Sequence, residues 1–424
     1  MKRNSIAIVG FGGAGCCAAE EARRNDPDAE ISVYSTTDTA PYTPMLTTYS
    51  VKGAIGYDAL FPFGSLEDIA KRLGIRFYPK TPVAALDAAS RTLVLEDGTR
   101  RTYDNILLST GASAFVPRVP GIDLPRVFKM RTADDAVHLK AMLDAGGIGS
   151  ALVIGASWVG IKVVEDMVER GIACTLVDGA KWIFPVAAFA ETAERIHADL
   201  RQKGVSLAFE QMLDHIEPES DGRLTAVMEN GNRFTADTIA VCIGIRPNTA
   251  FLKDSGLAMG RGVYVDEHMQ TNYPGIYAAG DCCEAAEIQS GGHKNIGVWM
   301  NARMQGKVAG SRMTGGTLRF DANVLVNLAH YLHYDFISIG DVSACRSEDE
   351  VYEYESPRMY LRAVRGEKIK CINMIGTAEC NGAFKNLFIK SIENPTAPID
   401  PKVAALLEKN GFPKDFLAFL GWEY

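Results

Sequence analysis

Three glycines spaced Gly10-x-Gly12-x-x-Gly15 follow a short apolar run in IAIVGFGGAGCCAAEEA, residues 6–22. In such a turn the first glycine permits the tight bend and the second lets a phosphate approach the backbone. The third lets helix and strand pack closely. A helix opening there presents unpaired N–H groups and a partial positive charge to a pyrophosphate. The arrangement returns in IGASWVG, residues 154–160, as Gly155-x-Ser157-x-x-Gly160. A serine there puts a small side chain where the phosphate would come in. Asp178 lies 23 residues after Gly155, at the end of the next strand. A carboxylate in that place accepts from both ribose hydroxyls and repels a 2′-phosphate, which predicts NAD(H) rather than NADP(H). The ordinary alternative is a turn aspartate, with Lys181 three residues on. The first copy has no such acid, so Ser35, Thr36 and the nearby Asp38 all stand as candidates for a ribose contact.

Cys16 and Cys17 sit just past the first turn. A helix N-terminus lowers a thiol pKa, but adjacent cysteines cannot bridge without severe strain. Cysteine also serves as a small hydrophobe where tight packing is needed. They are expected to be filler.

The elements that must hold these residues follow from the pattern. Residues 6–9 read as a buried strand, 14–24 as a helix and 31–34 as a second strand; 151–154, a helix to 169, and 174–177 repeat the unit. Each copy is followed by a strand, a DG or NG turn, a strand and an apolar strand ending in glycine: LVLEDGTRRTYDNILLSTG and AVMENGNRFTADTIAVCIG. Beyond these, RMYLRAVRGEKIKCINMIG predicts a hairpin turning at 365–367. The aromatic end FLAFLGWEY is expected to dock on its own domain or across a dimer.

At 424 residues the chain is too long for one core. Its 47% apolar and 23% charged content is that of a globular protein. A net charge of −8 disfavours nucleic acid as the main partner. No apolar run is long enough for a membrane span, and the first residues leave no room for a signal peptide. Nine cysteines, none spaced C-x-x-C, suit a reducing compartment. No metal site is expected, and the cytoplasm is the expected location.

The two turns, with STGASAFVPRVPG (109–121), GIRPN (244–248) and TNYPGIYAAGDCCE (271–284), resemble the two-dinucleotide-domain flavoproteins of the pyridine nucleotide-disulfide oxidoreductase superfamily. The likeness runs over about residues 5 to 315. It implies an α/β fold with two Rossmann-like, glutathione-reductase-like domains and a C-terminal α+β domain. The expected division is 1–113 with 244–318 for FAD, 114–243 for NAD(P)H, and 319–424 for the interface domain. By the same likeness Gly280 and Asp281 bind FAD near its ribityl–pyrophosphate region, and Thr110 and Gly111 line the crossover into that domain. Trp299 and Gln305 fall on a helix packed under the FAD, where Trp299 reads as core.

Departures from the superfamily narrow the reading. There is no C-x-x-x-x-C pair, and Met45 stands where NADH oxidases, peroxidases and coenzyme A disulfide reductases carry one cysteine. The chain therefore resembles the cysteine-free branch of ferredoxin, rubredoxin and nitrite reductase-type NADH reductases. That branch often shows a lysine in the matching loop and a glutamate two residues after the second turn; here these places hold Thr47 and Thr48, and Lys162. Beside a flavin, Lys162 would favour the anionic reduced form or attract an anionic substrate. The favoured alternative is a helix lysine reaching into solvent. His293 reads as a proton donor or as an incidental loop histidine.

The leading expectation is an FAD-dependent NADH:acceptor oxidoreductase feeding a separate iron–sulfur protein, since the chain has no four-cysteine cluster pattern. The runner-up is direct turnover of a small anionic organic substrate by Thr47, Thr48, Lys162 and His293. A non-catalytic redox-sensing or assembly subunit is third. The C-terminal domain would mediate a homodimer or hetero-oligomer.

Overall fold

The computed structural model describes residues 3–321, 323–376, 379–394 and 398–421, which form two compact units. The first contains the residues up to Ala114, Arg131–Lys140 and Ile245–Asn323. Its centre is a parallel sheet with the spatial order Ile276–Ala278, Asn105–Leu108, Ser5–Val9, Glu30–Tyr34, Arg76–Tyr78. Ile6, Ala7 and Ile8 are fully buried, as a strand covered on both faces must be. The order reverses between Ser5–Val9 and Asn105–Leu108, so the first glycine turn opens onto the crevice where such sheets bind ligands. The helix Gly13–Asn25 begins with small residues and ends on Arg23 and Arg24, which complement its carbonyl end.

The second unit comprises Phe115–Met130, Ala141–Gly244 and the chain from Val324 onward. It repeats the first design: Ser206–Ala208, Ala173–Val177, Ser150–Ile154, Thr238–Val241, Val127–Lys129, all parallel. The helix Trp158–Glu169 follows the second turn. Each unit also carries a three-stranded antiparallel sheet, Val83–Asp87 to Arg100–Thr102 in one and Leu213–Pro218 to Arg233–Ala236 in the other. Their middle strands are pinned by matching hydroxyl pairs, Thr92 to Thr102 at 2.8 Å and Thr225 to Thr235 at 2.7 Å.

The second unit also contains the α+β segment expected after residue 319. Five antiparallel strands run in the order Val326–Tyr331, Tyr334–Gly340, Ile369–Gly376, Met359–Arg365, Glu350–Ser356. The hairpin expected around 365–367 joins Met359–Arg365 to Ile369–Gly376. The aromatic end packs on this sheet: Phe416 and Leu417 are fully buried, and Arg365 donates to the Phe419 carbonyl at 2.5 Å. Trp422, Glu423 and Tyr424 of that end lie outside the described residues. Among the described residues no helix is long and apolar enough to cross a membrane.

A single polar clamp closes the base of each parallel sheet. Asp104 accepts from the Ser5 amide at 3.0 Å and its hydroxyl at 2.8 Å. Asp237 accepts from the Ser150 amide at 2.7 Å and its hydroxyl at 2.9 Å, and from the Gly149 amide at 2.9 Å. Burial raises the Asp237 pKa, but the Ser150 hydroxyl and the two amides outweigh it and hold the carboxyl below its ordinary 3.8. A depressed native pKa stabilises the fold fully above the unfolded value, and that contribution is lost as pH falls through the native one. Asp237→Ala is therefore expected to cost roughly 1–3 kcal/mol in urea unfolding at neutral pH. The gap to the parent protein should narrow as pH falls below about 4.

Candidate functional site

The first turn is built to leave hydrogen-bond donors open. Gly10 sits at φ +92°, a left-handed conformation that suits glycine, and its amide donates to the Tyr34 carbonyl at 2.8 Å. A side chain on Gly10 or Gly15 would collide with the Ser109 or the Gly10 carbonyl, respectively. Gly12 takes the N-cap position without a capping side chain, and nothing stands within 4 Å of where its side chain would be. Beside this turn Trp299 Nε1 and Arg303 Nε are buried without hydrogen-bond partners. A Cβ on Gly13 would lie 2.9 Å from that indole nitrogen. Buried donors without partners cost roughly 1–3 kcal/mol each. An uncapped helix start flanked by two such donors fits the pyrophosphate of a dinucleotide.

Trp299 and Arg303 belong to the helix Trp299–Met313. It lies against Gly13–Asn25 so closely that a Cβ on Gly306 or Gly310 would strike the Ala14 or Ala18 carbonyl. The spacing Gly306-x-x-x-Gly310 carries that packing and was readable in GKVAG. Gly280 donates its amide to Gln305 Oε1 at 2.8 Å. Asp281 accepts from Arg131 Nη2 at 2.6 Å, and Arg131 Nε is anchored on the Ala112 carbonyl at 3.1 Å. A Cβ on Gly297, two residues before that helix, would lie 3.5 Å from Asp281 Oδ1. Thr110 donates to the Asn248 carbonyl at 2.8 Å, and the Asn248 amide group returns to Thr110 O at 3.0 Å. The Gly111 carbonyl accepts from the Asn248 amide at 3.0 Å. Ser35 is buried at the strand end and accepts from the Thr37 amide at 3.1 Å, while Thr36 is exposed. Arg131 and Arg303 went unread because single residues far along the chain carry no local pattern, and Asn248, though it ends the GIRPN phrase, gave no sign of its pairing with Thr110.

The second turn has the same backbone and a different electrical character. Gly155 is at φ +111° and donates to the Val177 carbonyl at 2.8 Å. Here Ser157 caps the helix: its hydroxyl accepts from the Gly160 amide at 3.1 Å and donates to Cys242 O at 2.8 Å. Asp178 accepts from the Ala156 amide at 2.6 Å and the Ala180 amide at 2.7 Å. The carboxylate is thus fixed against the turn, where a ribose would lie, and it makes no ion pair with Lys181 among the described residues. Part of this turn's donor set is already spent on its own side chains.

Lys162 is not a lysine reaching into solvent. It is buried, forms an ion pair with Glu165 one turn along, and donates to the His330 carbonyl at 2.7 Å. Glu165 in turn accepts from the Leu332 amide at 3.0 Å. A nearly buried cation persists because the partner carboxylate, itself 1% exposed, balances it. The pair ties the helix Trp158–Glu169 to the tip of the hairpin formed by Val326–Tyr331 and Tyr334–Gly340. Thr47 and Thr48 are buried at the start of the helix Thr47–Lys52, with the Thr47 hydroxyl donated to Pro44 O at 2.8 Å. His293 is exposed, its ring 4.9 Å from that of Tyr264, with no carboxylate partner among the described residues. Cys16 and Cys17 are buried, and desolvation raises both thiol pKa values.

Residues 4–306 match the sequence model of the family described as pyridine nucleotide-disulphide oxidoreductase, and the chain belongs to that family. It is similar to the NADH-dependent phenylglyoxylate dehydrogenase subunit epsilon of Aromatoleum evansii, with 29% identity over 368 residues and 86% of each chain covered. The nitric oxide reductase FlRd-NAD(+) reductase of Escherichia coli O7:K1 is 30% identical over 282 residues, 66% of this chain and 73% of that one. The structure of the water-forming NADH oxidase from Lactobacillus brevis, bound to NADH, matches with a TM-score of 0.85 at 23% identity. That match covers 98% of this chain and 99% of the other. The protein is an FAD-dependent NAD(P)H oxidoreductase. Gly15→Ala overpacks the first turn at a cost of about 1–3 kcal/mol. It is expected to weaken FAD retention roughly tenfold or more, read as flavin absorbance per protein with circular dichroism checking the fold.

Proposed function

With membership of that family as the premise, we propose that the chain is an NADH:acceptor oxidoreductase delivering electrons to a separate iron–sulfur protein or domain. In this reading FAD resides on the first turn and NADH visits the second. FAD, when bound, supplies the link between a two-electron donor and one-electron acceptors. The chain's residues do the rest. The uncapped start of Gly13–Asn25 receives the FAD pyrophosphate. Asp281, held in place by Arg131, accepts from FAD hydroxyls. Asp178 accepts from the ribose hydroxyls of the incoming nucleotide and repels a 2′-phosphate. The self-capped second turn offers fewer open donors, which suits a nucleotide that must leave after each turnover.

The observation that carries the acceptor is the state of the cysteines. Eight of the nine are buried, and Cys345, the ninth, has its thiol pushed up to about 11 by desolvation and by Asp349. Cys174 and Cys242 are pushed up to about 12 by burial. Protonated, enclosed thiols do not attack a disulfide at neutral pH, which favours a route for the electrons that does not pass through the cysteines. The names of two relatives support a protein partner: one is a subunit of a larger dehydrogenase and the other a reductase acting on FlRd.

Anaerobic stopped-flow mixing tests the reading. NADH is expected to bleach the flavin at least about tenfold faster than NADPH. Asp178→Ala should raise the KM for NADH on the order of tenfold and narrow the gap between the nucleotides, because it removes a hydrogen-bonding group the ribose requires. No bleaching by either nucleotide, or rapid turnover with oxygen alone, overturns the proposal.

A further inference from the structure

Resting on the reading that NAD(H) visits the second turn, we infer that His197 is a positioning residue for that site. Its neutral imidazole holds the loop after Asp178 against the turn, and its protonation lets that loop go. His197 is 4% exposed on the helix Ala190–Gln202. Its Nε2 accepts from the Ile183 amide at 3.2 Å. A ring nitrogen that accepts carries no proton, so the hydrogen of the neutral imidazole sits on Nδ1 and is donated to Glu194 at 3.2 Å. Arg201 holds that carboxylate in place at 2.7 Å. Phe209 stacks on the imidazole at 4.6 Å and fixes its plane. Ile183 is fully buried, so its amide has no bulk water to turn to.

What the histidine braces is a strained stretch that touches the turn itself. Phe184 has φ +52°, a left-handed conformation that a bulky residue keeps only where its surroundings fix it. Its amide donates to the Ala156 carbonyl at 3.3 Å, and its ring stacks at 4.1 Å on Trp158, which opens the helix after the turn. Ala156 is the residue whose own amide reaches Asp178 at 2.6 Å. The line from the imidazole to the ribose-binding carboxylate therefore runs through two adjacent amides and one residue of the turn.

The far end of the loop is fixed differently. The Ala187 carbonyl accepts from the Ser338 hydroxyl at 2.6 Å and the Asn373 amide group at 2.8 Å. Asn373 also accepts from the Phe189 amide at 2.9 Å. Among these brackets the imidazole alone titrates near neutrality. Once protonated, Nε2 is a donor facing the Ile183 donor, and the near end of the loop loses its hold. Burial disfavours the imidazolium and, with Arg201, outweighs the attraction of Glu194, so the pKa lies below the ordinary 6.5. Both of those charges stand on the imidazole's own helix; the loop and Phe209 present it with an amide and a ring. The loop is thus held at neutral pH and released as pH falls through that lowered value.

The test uses the FAD-loaded full chain and follows flavin reduction against NADH concentration by anaerobic stopped flow, from neutral to mildly acidic pH. In the parent protein the NADH concentration for half-maximal reduction is expected to rise toward acid, by up to about tenfold per pH unit as one proton requires. The change should fall on that concentration and not on the limiting rate. His197→Gln offers a carboxamide oxygen in place of Nε2 and does not titrate. It should keep the parent's neutral value and lose the acid rise. His197→Phe keeps a ring but no acceptor, and should raise the half-maximal concentration on the order of tenfold at neutral pH. A His197→Phe protein with the parent's neutral value, or a His197→Gln protein that retains the acid rise, overturns the proposal. If His197→Phe does not fold by circular dichroism, the pH profile of His197→Gln decides alone. A parent protein whose flavin NADH fails to bleach at every pH overturns the reading beneath the proposal, an outcome distinct from either variant result.

Discussion

A helix that begins without a cap carries a deficit of hydrogen bonds, and the first unit is arranged to keep that deficit open. Gly12 withholds a side chain from the cap position. Gly10 bends the backbone so that the helix starts at the carboxyl end of the central strand. Ala14 and Ala18 on one helix, and Gly306 and Gly310 on the other, remove the side chains that would keep the two apart. That proximity brings Trp299 and Arg303 to the turn with buried donors of their own. Each of these choices weakens the protein alone and makes sense once an anion supplies the missing acceptors.

The second unit shows what happens when the same frame is given a cap. Ser5 with Asp104 and Ser150 with Asp237 close the two sheets in the same manner. The threonine pairs of the two small sheets also correspond. The backbone amides of Gly10 and Gly155 reach the same place on the neighbouring strand, each at 2.8 Å. Against that shared background two side chains differ. Ser157 takes up a helix donor, and Asp178 replaces the position of Ser35. One frame thus yields an open helix start in one unit and a capped one in the other.

Much of this was legible in the sequence because it is local. The glycine turns, the flanking strands and the acid after the second repeat lie within short windows, and their boundaries in the structure, such as Ser5–Val9 and Trp158–Glu169, fall within a residue or two of the pattern. Contacts across long separations were not legible. Arg131 reaches Asp281 from 150 positions away, and Lys162 meets the His330 carbonyl across 168. The error at Lys162 was of another kind. Its partner Glu165 sat three residues on, in view as a helical pair, but its burial depended on the hairpin that covers it.

The chain order of the first unit has a consequence for how the protein is made. The strand Ser5–Val9 and its glycine turn leave the ribosome well before the last of their partners. Yet the edge strand Ile276–Ala278 and the helix that supplies Trp299 and Arg303 lie beyond the whole of the inserted nucleotide frame. That inserted frame draws its parallel strands from Val127 to Val241 and can assemble from contiguous chain. The first strand finds its sheet neighbours by residue 108, but its turn is closed only when partners nearly 300 positions later are synthesised; Asn4 hydrogen-bonds to the Met313 carbonyl across 309. Domains made of contiguous chain close sooner, because distant contacts pay their loop entropy first. The first glycine turn is therefore the later of the two cradles to be completed.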